Sequence, residues 1–172
     1  MSDMVSCKNE GTENSRSFDA DRDYELWWLI MHMRRAMHKA RGKELSKYGI
    51  TPEEAAVLFT IQAISHAATP AEISRWLLRE PHSISGLLNR MQKEGLITKA
   101  KDLERKNLVR VAMTEKGRQA YSQSTKRESI HRILTALSEK ECQQIRTCLE
   151  KLRNKALEEL GTASRPPFPP SR

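Results

Sequence analysis

The pattern of apolar and polar positions predicts a mostly helical chain. A first helix is indicated from about residue 20 to Tyr48, and Gly49 ends it. Thr51-Pro52-Glu53-Glu54 has the form of a helix start. The threonine hydroxyl can cap the helix, proline suits the first turn, and the second glutamate can reach back to complete a capping box. A second helix is therefore predicted, running to about His66.

Two short helices are predicted next. Thr69-Pro70-Ala71-Glu72 repeats the capping-box pattern and predicts a third helix as far as about Leu78. After a short break, a fourth helix is predicted from Pro81 to Glu94, closed by Gly95. Its apolar residues follow i, i+3, i+4, i+7 spacing and predict one buried face. That face consists of Ile84, Leu87, Leu88 and Met91.

A β hairpin and two more helices complete the predicted order. Residues 96–100 and 108–113 are strand-type segments on either side of a polar stretch, which predicts a hairpin. Thr114 restarts helix, and this fifth helix is predicted to continue to about Leu137. A capping box at Ser138 predicts a sixth helix that lasts until Gly161. The predicted fold is thus mainly α with a small β wing.

The length and composition indicate one domain between two tails. The chain has 172 residues, of which 38% are hydrophobic, enough for one core. Residues 1–17 are almost entirely polar and predict a disordered tail. Residues 161–172 begin with glycine and contain four prolines, so we expect a second flexible tail. The globular part is predicted to span residues 18–160.

The charge favours a polyanionic partner. Lysine and arginine outnumber the acids by 30 to 22, a net charge of +8. Lys101, Arg105 and Lys106 are crowded at the predicted hairpin tip. Such a tip suits contact with phosphates or with the minor groove, although a solvated turn would have the same composition.

The fourth helix presents a second candidate DNA contact. Two short helices at residues 69–94 followed by a hairpin at 96–113 are typical of a winged helix-turn-helix, whose second helix enters the major groove. The side opposite the apolar face carries small and hydrogen-bonding groups that suit base reading. These are His82, Ser83, Ser85, Gly86, Asn89 and Arg90. The alternative is an ordinary solvent-exposed helix face.

Several runs of residues resemble the MarR family of transcriptional regulators. They are Ala71-Glu72-Ile73-Ser74, the stretch from Ser83 to Met91, Glu94-Gly95-Leu96-Ile97, and Met113-Thr114-Glu115-Lys116-Gly117 after the basic hairpin. The last is the most specific of them. The resemblance covers about residues 20–160.

The resemblance implies a homodimer on double-stranded DNA. The dimerisation helices would be those at 20–48 and 114–160, and two winged lobes would bind a pseudo-palindromic operator. The apolar faces of these helices support a partner chain independently, because a core of this size cannot cover them all. Family wings commonly carry an Asp-x-Arg arrangement. Here Asp102, Glu104, Arg105 and Lys106 offer several registers, so either Arg105 or Lys106 could enter the minor groove.

The resemblance also implies a repressor that a small aromatic or phenolic effector releases from DNA. Candidates for the effector pocket on the first helix are Trp27, Trp28, Met31 and Met37. A stripe of tryptophan and methionine at helical spacing is more often part of a core or a dimer interface.

The remaining classes of function find less support. The longest apolar run, Leu26 to Met31, is too short to span a membrane, and no secretory signal is evident, so a cytoplasmic protein is expected. Cys7, Cys142 and Cys148 are too few for a disulfide framework, and cysteine-based redox sensing is kept as an alternative. No metal, cofactor or catalytic motif is apparent, so an enzyme is not expected. A winged-helix protein-interaction module is the other alternative.

Overall fold

A computed structural model describes residues 21–65, 68–102 and 108–161. Within these ranges the chain forms helices with a two-stranded sheet near the middle. The elements are α1 (Arg22–Leu45), a short 3-10 helix (Ser46–Tyr48), α2 (Pro52–Ile64), α3 (Pro70–Leu77), α4 (Pro81–Lys93), β1 (Ile97–Lys101), β2 (Val109–Met113), α5 (Glu115–Ser124), α6 (Glu128–Leu134) and α7 (Glu139–Glu159). This is the predicted mainly helical fold with a small β wing. The predicted N-terminal tail, nearly all of the C-terminal one and the hairpin tip lie outside the described residues.

The chain separates into two compact units, one up to Ala36 and one from Met37 onward. In the first unit the described residues form the first part of α1, whose N-terminus is capped by the Asp21 carboxylate. Tyr24 stacks on Trp27 with ring centroids 5.6 Å apart, and Trp28 packs edge-on against both. Trp27 nevertheless keeps 50% of its surface exposed. These rings therefore remain an apolar surface on the helix.

The core of the second unit lies among α2, α3, α4 and the sheet. The apolar face predicted for α4 is confirmed, since all four of its residues are buried. They pack with other fully buried side chains, namely Leu45, Val57, Leu58, Ile73 and Ile97. In the sheet, β1 and β2 run antiparallel, with Ile97 opposite Met113 and Lys101 opposite Val109.

The predicted helix caps are confirmed with one correction. The capping boxes at Thr51 and Ser138 are both complete, with the threonine or serine and the third helical residue bonding reciprocally. At Thr69 only half of the box forms. The Thr69 hydroxyl accepts a hydrogen bond from the backbone of Glu72, whereas the Glu72 carboxylate instead accepts one from Arg75 at 2.5 Å. An arginine one turn further along competes for that carboxylate.

The prediction of one continuous fifth helix to Leu137 is wrong. The helix ends at Ser124 and a new helix starts at Glu128, after Arg127 in a left-handed conformation with φ +52°. No side chain of the local sequence caps α6. The Glu44 carboxylate, from α1, accepts hydrogen bonds from the backbone N–H of Glu128 and of Ser129, both at 3.0 Å. A residue 84 positions away thus satisfies the donors that the break exposes.

Glu44 is buried and remains ionised. Burial by itself would raise the pKa of Glu44, but hydrogen bonds from the Ser129 hydroxyl and backbone and the neighbouring Arg41 guanidinium outweigh it and lower the pKa to about 2. The buried Arg41 Nη1 lies 2.8 Å from Glu44 Oε1, an ion-pair contact outside hydrogen-bond geometry. Another nitrogen of Arg41 donates to the backbone carbonyl of Ser124. This cluster therefore fastens the end of α1 to both sides of the α5–α6 break.

Candidate nucleic-acid interface

A tight turn sets the position of α4 behind α3. Leu78 ends α3 in a left-handed conformation with φ +49°. Beyond it, the Arg79 N–H donates to the carbonyl of Ser74 at 3.1 Å, and the Ser74 hydroxyl donates to the carbonyl of Arg79 at 2.5 Å. Because Ser74 is buried, these paired bonds hold the turn against the core. The result is the helix-turn-helix that the sequence predicts.

The polar face of α4 is exposed along its length. His82, Ser85, Gly86 and Asn89 are exposed, and Ser83 is half-buried. A Cβ built on Gly86 would have no atom within 4 Å outside its own helix backbone. The packing of the chain itself therefore does not require glycine at this position. The glycine leaves this part of the α4 surface open to close approach by another molecule.

Arg90 also belongs to this face, but it has a partner within the fold. Its Nε lies 3.3 Å from Oε1 of Glu54, a carboxylate that is only 2% exposed. The other oxygen of Glu54 accepts the Thr51 N–H at 2.8 Å. Arg90 therefore neutralises the buried capping residue of α2, and its predicted DNA contact stays a prediction.

A residue that sequence reasoning passed over, Lys99, joins the wing to α4. Its Nζ donates to Oδ1 of Asn89 at 2.6 Å. Partial burial lowers the pKa of Lys99. The alternation of β1 could have indicated this contact, because Lys99 shares a face with Ile97 and is not directed to the outside. Asn89 thus belongs to a pair of side chains that spans α4 and the wing.

The base of the wing is locked to the end of α4 by the residues that start α5. The Thr114 hydroxyl donates to the Gly95 carbonyl at 2.6 Å, and Lys116 Nζ donates to the Glu94 carbonyl at 2.7 Å. A Cβ on Gly117 would lie 2.0 Å from the Leu96 carbonyl oxygen, so only glycine permits this approach. The Thr-Glu-Lys-Gly sequence therefore fixes where the wing leaves the fold.

The described part of the wing carries cations at its outer end. Lys101 is exposed at the end of β1. Asp102 is paired with Arg110, whose Nε lies 2.6 Å from Oδ2, and the Asp102 N–H donates to the Leu108 carbonyl at 2.8 Å. Asp102 therefore closes the described end of the hairpin. Glu104, Arg105 and Lys106 lie outside the described residues.

A cavity of about 190 Å³ lies beside the Glu44 cluster. Two guanidinium groups, of Arg41 and Arg127, and two aromatic rings, of Phe59 and Tyr121, contribute to its lining. The Arg127 guanidinium carbon is 5.9 Å from the centre of the Phe59 ring. The cavity thus combines apolar faces with positive charge, and sequence reasoning did not find it because its residues come from distant helices.

The remaining candidate residues are distributed along the helices. Trp28 is 37% exposed, and its ring lies tilted against that of His32 with centroids 4.9 Å apart, while Met31 and Met37 are half-buried. Cys142 and Cys148 are free thiols on α7, and Cys7 lies outside the described residues. Among the residues that the structure describes, no cluster of three or more metal-ligating acids, histidines or cysteines occurs. In the same part of the chain, no helix is both long and apolar enough to cross a membrane.

The arrangement of α3, the turn, α4 and the hairpin defines a winged helix-turn-helix protein. Residues 48–102 match the model of the MarR family. The ligand-free structure of the organohalide-sensing transcriptional regulator RdhR-CbdbA1625 is 26% identical, with 89% of this chain and 90% of that chain covered and a TM-score of 0.76. Its form with bound 2,4-dichlorophenol gives the same identity and coverage and a TM-score of 0.77.

Two more distant proteins agree with these matches. The transcriptional activatory protein BadR of Rhodopseudomonas palustris is 21% identical over 120 residues, 69% of each chain. A MarR mutant from E. coli, complexed with operator DNA, has a similar fold at 21% identity, with 77% of this chain and 99% of that chain covered and a TM-score of 0.71. The segment that contains the helix-turn-helix and β1 is thus similar to the MarR family, and the fold is similar to that of solved transcriptional regulators.

Proposed function

We propose that this protein binds double-stranded DNA in a sequence-specific manner as a homodimer and represses transcription from its operator. The observation that carries the proposal is the exposed polar face of α4 beside the cationic wing strand. On this face Ser85 and Asn89 are exposed around Gly86, whose Cα is open to close approach. Lys99 and Lys101 extend the surface onto β1. Operator DNA in the complex of the E. coli relative supports this assignment.

Each residue of this surface has a distinct expected role. His82, Ser83, Ser85, Gly86 and Asn89 would face base edges, because they have short or polar side chains on the exposed side of α4. Lys101, Arg105 and Lys106 would neutralise phosphates or enter the minor groove. Arg90 would support the first group by holding α4 on Glu54. Affinity and sequence preference should therefore depend on different residues.

Selection of bound duplexes from a random pool tests the proposal directly. An inverted repeat among the selected sequences is expected, since a dimer presents two equivalent recognition helices. Binding to that duplex is then measured over a salt series. The log–log slope should be about −0.9 for each phosphate neutralised. A slope near zero, or selection without any consensus, would exclude sequence-specific binding by this surface.

Matched variants separate the two groups of residues. Lys101→Gln should weaken binding to all duplexes alike and make the salt slope shallower by about one. Asn89→Ala should change which base is preferred. Lys140→Gln removes the same charge from the start of α7 and should leave both properties unaltered. Equal loss on every sequence for Asn89→Ala would contradict the recognition-helix assignment.

We further propose that an aromatic or phenolic effector binds in the cavity lined by Phe59 and Tyr121. A volume of about 190 Å³ suits one ring with small substituents better than a drug-sized ligand. Arg41 and Arg127 would favour a phenolate or a carboxylate on that ring. The complex of RdhR-CbdbA1625 with 2,4-dichlorophenol supports this class of molecule. Because Arg41 also pairs with Glu44, an acidic effector would compete for the guanidinium that fastens the α5–α6 break.

Calorimetry with 2,4-dichlorophenol and with benzoate tests the cavity. Phe59→Ala and Arg127→Gln should each weaken binding, whereas Trp28→Phe on α1 should not. The opposite pattern would indicate that the effector binds at the tryptophan and methionine residues of α1 that the sequence predicts. Release of the operator duplex by the same ligands, and derepression of a reporter gene, would complete the test. Activation of the reporter by the unliganded protein, as the name of BadR suggests for that relative, would contradict repression.

A further inference from the structure

The contact between Lys99 and Asn89 restricts what Asn89 can offer to DNA. An ammonium group has hydrogen-bond donors and no acceptor, so the amide oxygen of Asn89 must be the atom that faces it. The 2.6 Å distance from Nζ to Oδ1 agrees with that requirement. The orientation of the amide is thus set by the chemistry of its partner. The NH₂ group is left on the side of the amide away from Lys99.

An asparagine that reads adenine uses both ends of its amide. The oxygen accepts from the N6 amino group while the NH₂ donates to N7. Here the oxygen is already directed to Lys99. Although it keeps a second lone pair, the ammonium beside it repels the amino groups of adenine and cytosine. Guanine presents two acceptors in the major groove, N7 and O6, which match a donor next to a positive charge.

We infer that Lys99 is a specificity-determining residue that turns Asn89 into a donor-only reader and selects guanine over adenine at the base pair that Asn89 meets. This inference rests on the proposed function, because it requires α4 to lie in the major groove. Lys99 would act through Asn89, because its charge fixes the orientation of the amide and makes the amide oxygen a poor acceptor. It is therefore a positioning residue for sequence preference, whose removal should alter the order of preferred bases.

The test uses the full-length protein and the operator found by selection. Each base pair of one half-site is replaced by the other three, and dissociation constants are measured for the wild type, Lys99→Met, Lys99→Arg and Asn89→Ala. At one position the wild type should prefer guanine over adenine by roughly tenfold or more. Asn89→Ala should remove that preference. Lys99→Met should reduce it to about threefold or reverse it, because the freed amide can pair with adenine.

Two further variants exclude simpler explanations. Lys99→Arg retains a donor-only cation and should keep the guanine preference. In the Asn89→Ala background, Lys99→Met should change affinity by the same factor for all four bases, since the residue through which Lys99 acts is absent. Asn89→Asp, which keeps Lys99 but replaces the amide donor with an acceptor, should lose the guanine preference and gives a readout that does not depend on Lys99→Met.

The outcomes distinguish this inference from the proposed function. Binding to a selected operator with an adenine preference at the Asn89-dependent position would overturn the inference and leave the DNA-binding function standing. The same conclusion would follow if Lys99→Met changed all four bases equally in the presence of Asn89. Failure of the wild type to bind any duplex at low salt would overturn both.

Discussion

Helices α4 and α7 have the same amphipathic pattern and very different surroundings. Four of the 13 residues of α4 are buried, whereas one of the 21 residues of α7, Leu157, is buried. On α7, Ile145, Leu149 and Leu152 keep between 38 and 48% of their surface exposed. An apolar face indicates that a helix needs a partner surface. For α4 that surface is in the same chain, and for α7 we propose that a second copy supplies it.

The largest effect is expected on dimer stability, from a charge placed on the apolar face of α7. Leu152→Asp places a charge on an apolar surface that would be buried in the dimer, and a two-fold interface contains the substitution twice. Each side chain is worth about 2 kcal/mol of burial, so the dimer dissociation constant should rise by at least about 100-fold. Sedimentation over a concentration series measures it.

Thr147→Asp is the matched control for this substitution. Residue 147 lies about half a turn around α7 from the apolar face and is exposed. It should leave the dimer intact. A wild type that stays monomeric at high concentration, or equal effects of the two variants, would contradict a dimer built on this face.

The next largest effect, on stability, is expected at Glu44, which joins the end of α1 to the start of α6. Glu44→Gln should destabilise the chain by about 3 kcal/mol at neutral pH, because it breaks a buried ion pair and the capping of α6. In hydrogen exchange, the amides of α6 should lose protection while those of α4 keep it. Exposed Glu139→Gln is the control.

The difference in unfolding free energy between the wild type and Glu44→Gln should depend on pH, in a direction set by the sign of the pKa shift. The pKa of Glu44 is lowered to about 2, so the stabilisation is fully present above the ordinary pKa near 4.5 and is lost as the pH falls toward 2. The gap in unfolding free energy between the wild type and Glu44→Gln should therefore narrow over that interval. A gap independent of pH would show that the carboxylate charge is not what holds α6.

A smaller loss of stability is expected where the start of α5 packs against the base of the wing. Gly117→Ala brings a methyl group to 2.0 Å from the backbone oxygen of Leu96, which cannot move without shifting the wing. Overpacking of this kind costs about 1–3 kcal/mol. Urea unfolding gives the value, and unchanged stability would mean that α5 can start at another angle.

The smallest effect on stability, and of opposite sign, is expected at Gly86. Alanine meets no atom there and is the better helix former, so Gly86→Ala should stabilise the fold by about 0.5–1 kcal/mol. If α4 lies in the major groove, the same methyl group should weaken operator binding by roughly tenfold, a difference of about 1.4 kcal/mol. If Gly86→Ala stabilised the fold without weakening operator binding, the DNA would not lie against this part of α4.

Local signals in the sequence predicted most of the fold. The capping box at Thr51, the spacing of Ile84, Leu87 and Met91, and the glycine after α4 all act within a few residues, so they can be read without knowing the rest of the chain. The exposed polar face of α4 follows from the same periodicity. The Met113 to Gly117 run was predicted as the most specific resemblance, and the approach of Gly117 to Leu96 supplies its physical reason.

The features that were missed depend on residues far apart in the sequence. The break between α5 and α6 is stabilised by Glu44, and the half-formed cap at Thr69 results from Arg75 taking the Glu72 carboxylate. One signal was available for Glu44. A carboxylate in the last turn of a helix is unfavourable with the helix dipole, and it therefore needs a cation or donors from elsewhere.

The sequence by itself determined the order of the helices, the winged helix-turn-helix and which side of α4 is polar, because periodicity and capping are properties of neighbouring residues. Only the tertiary structure decided how those parts are joined. It pairs Lys99 with Asn89, Arg90 with Glu54 and Glu44 with the start of α6. Such pairings depend on which side chains the folded backbone brings within a few ångströms, and no local pattern contains that distance.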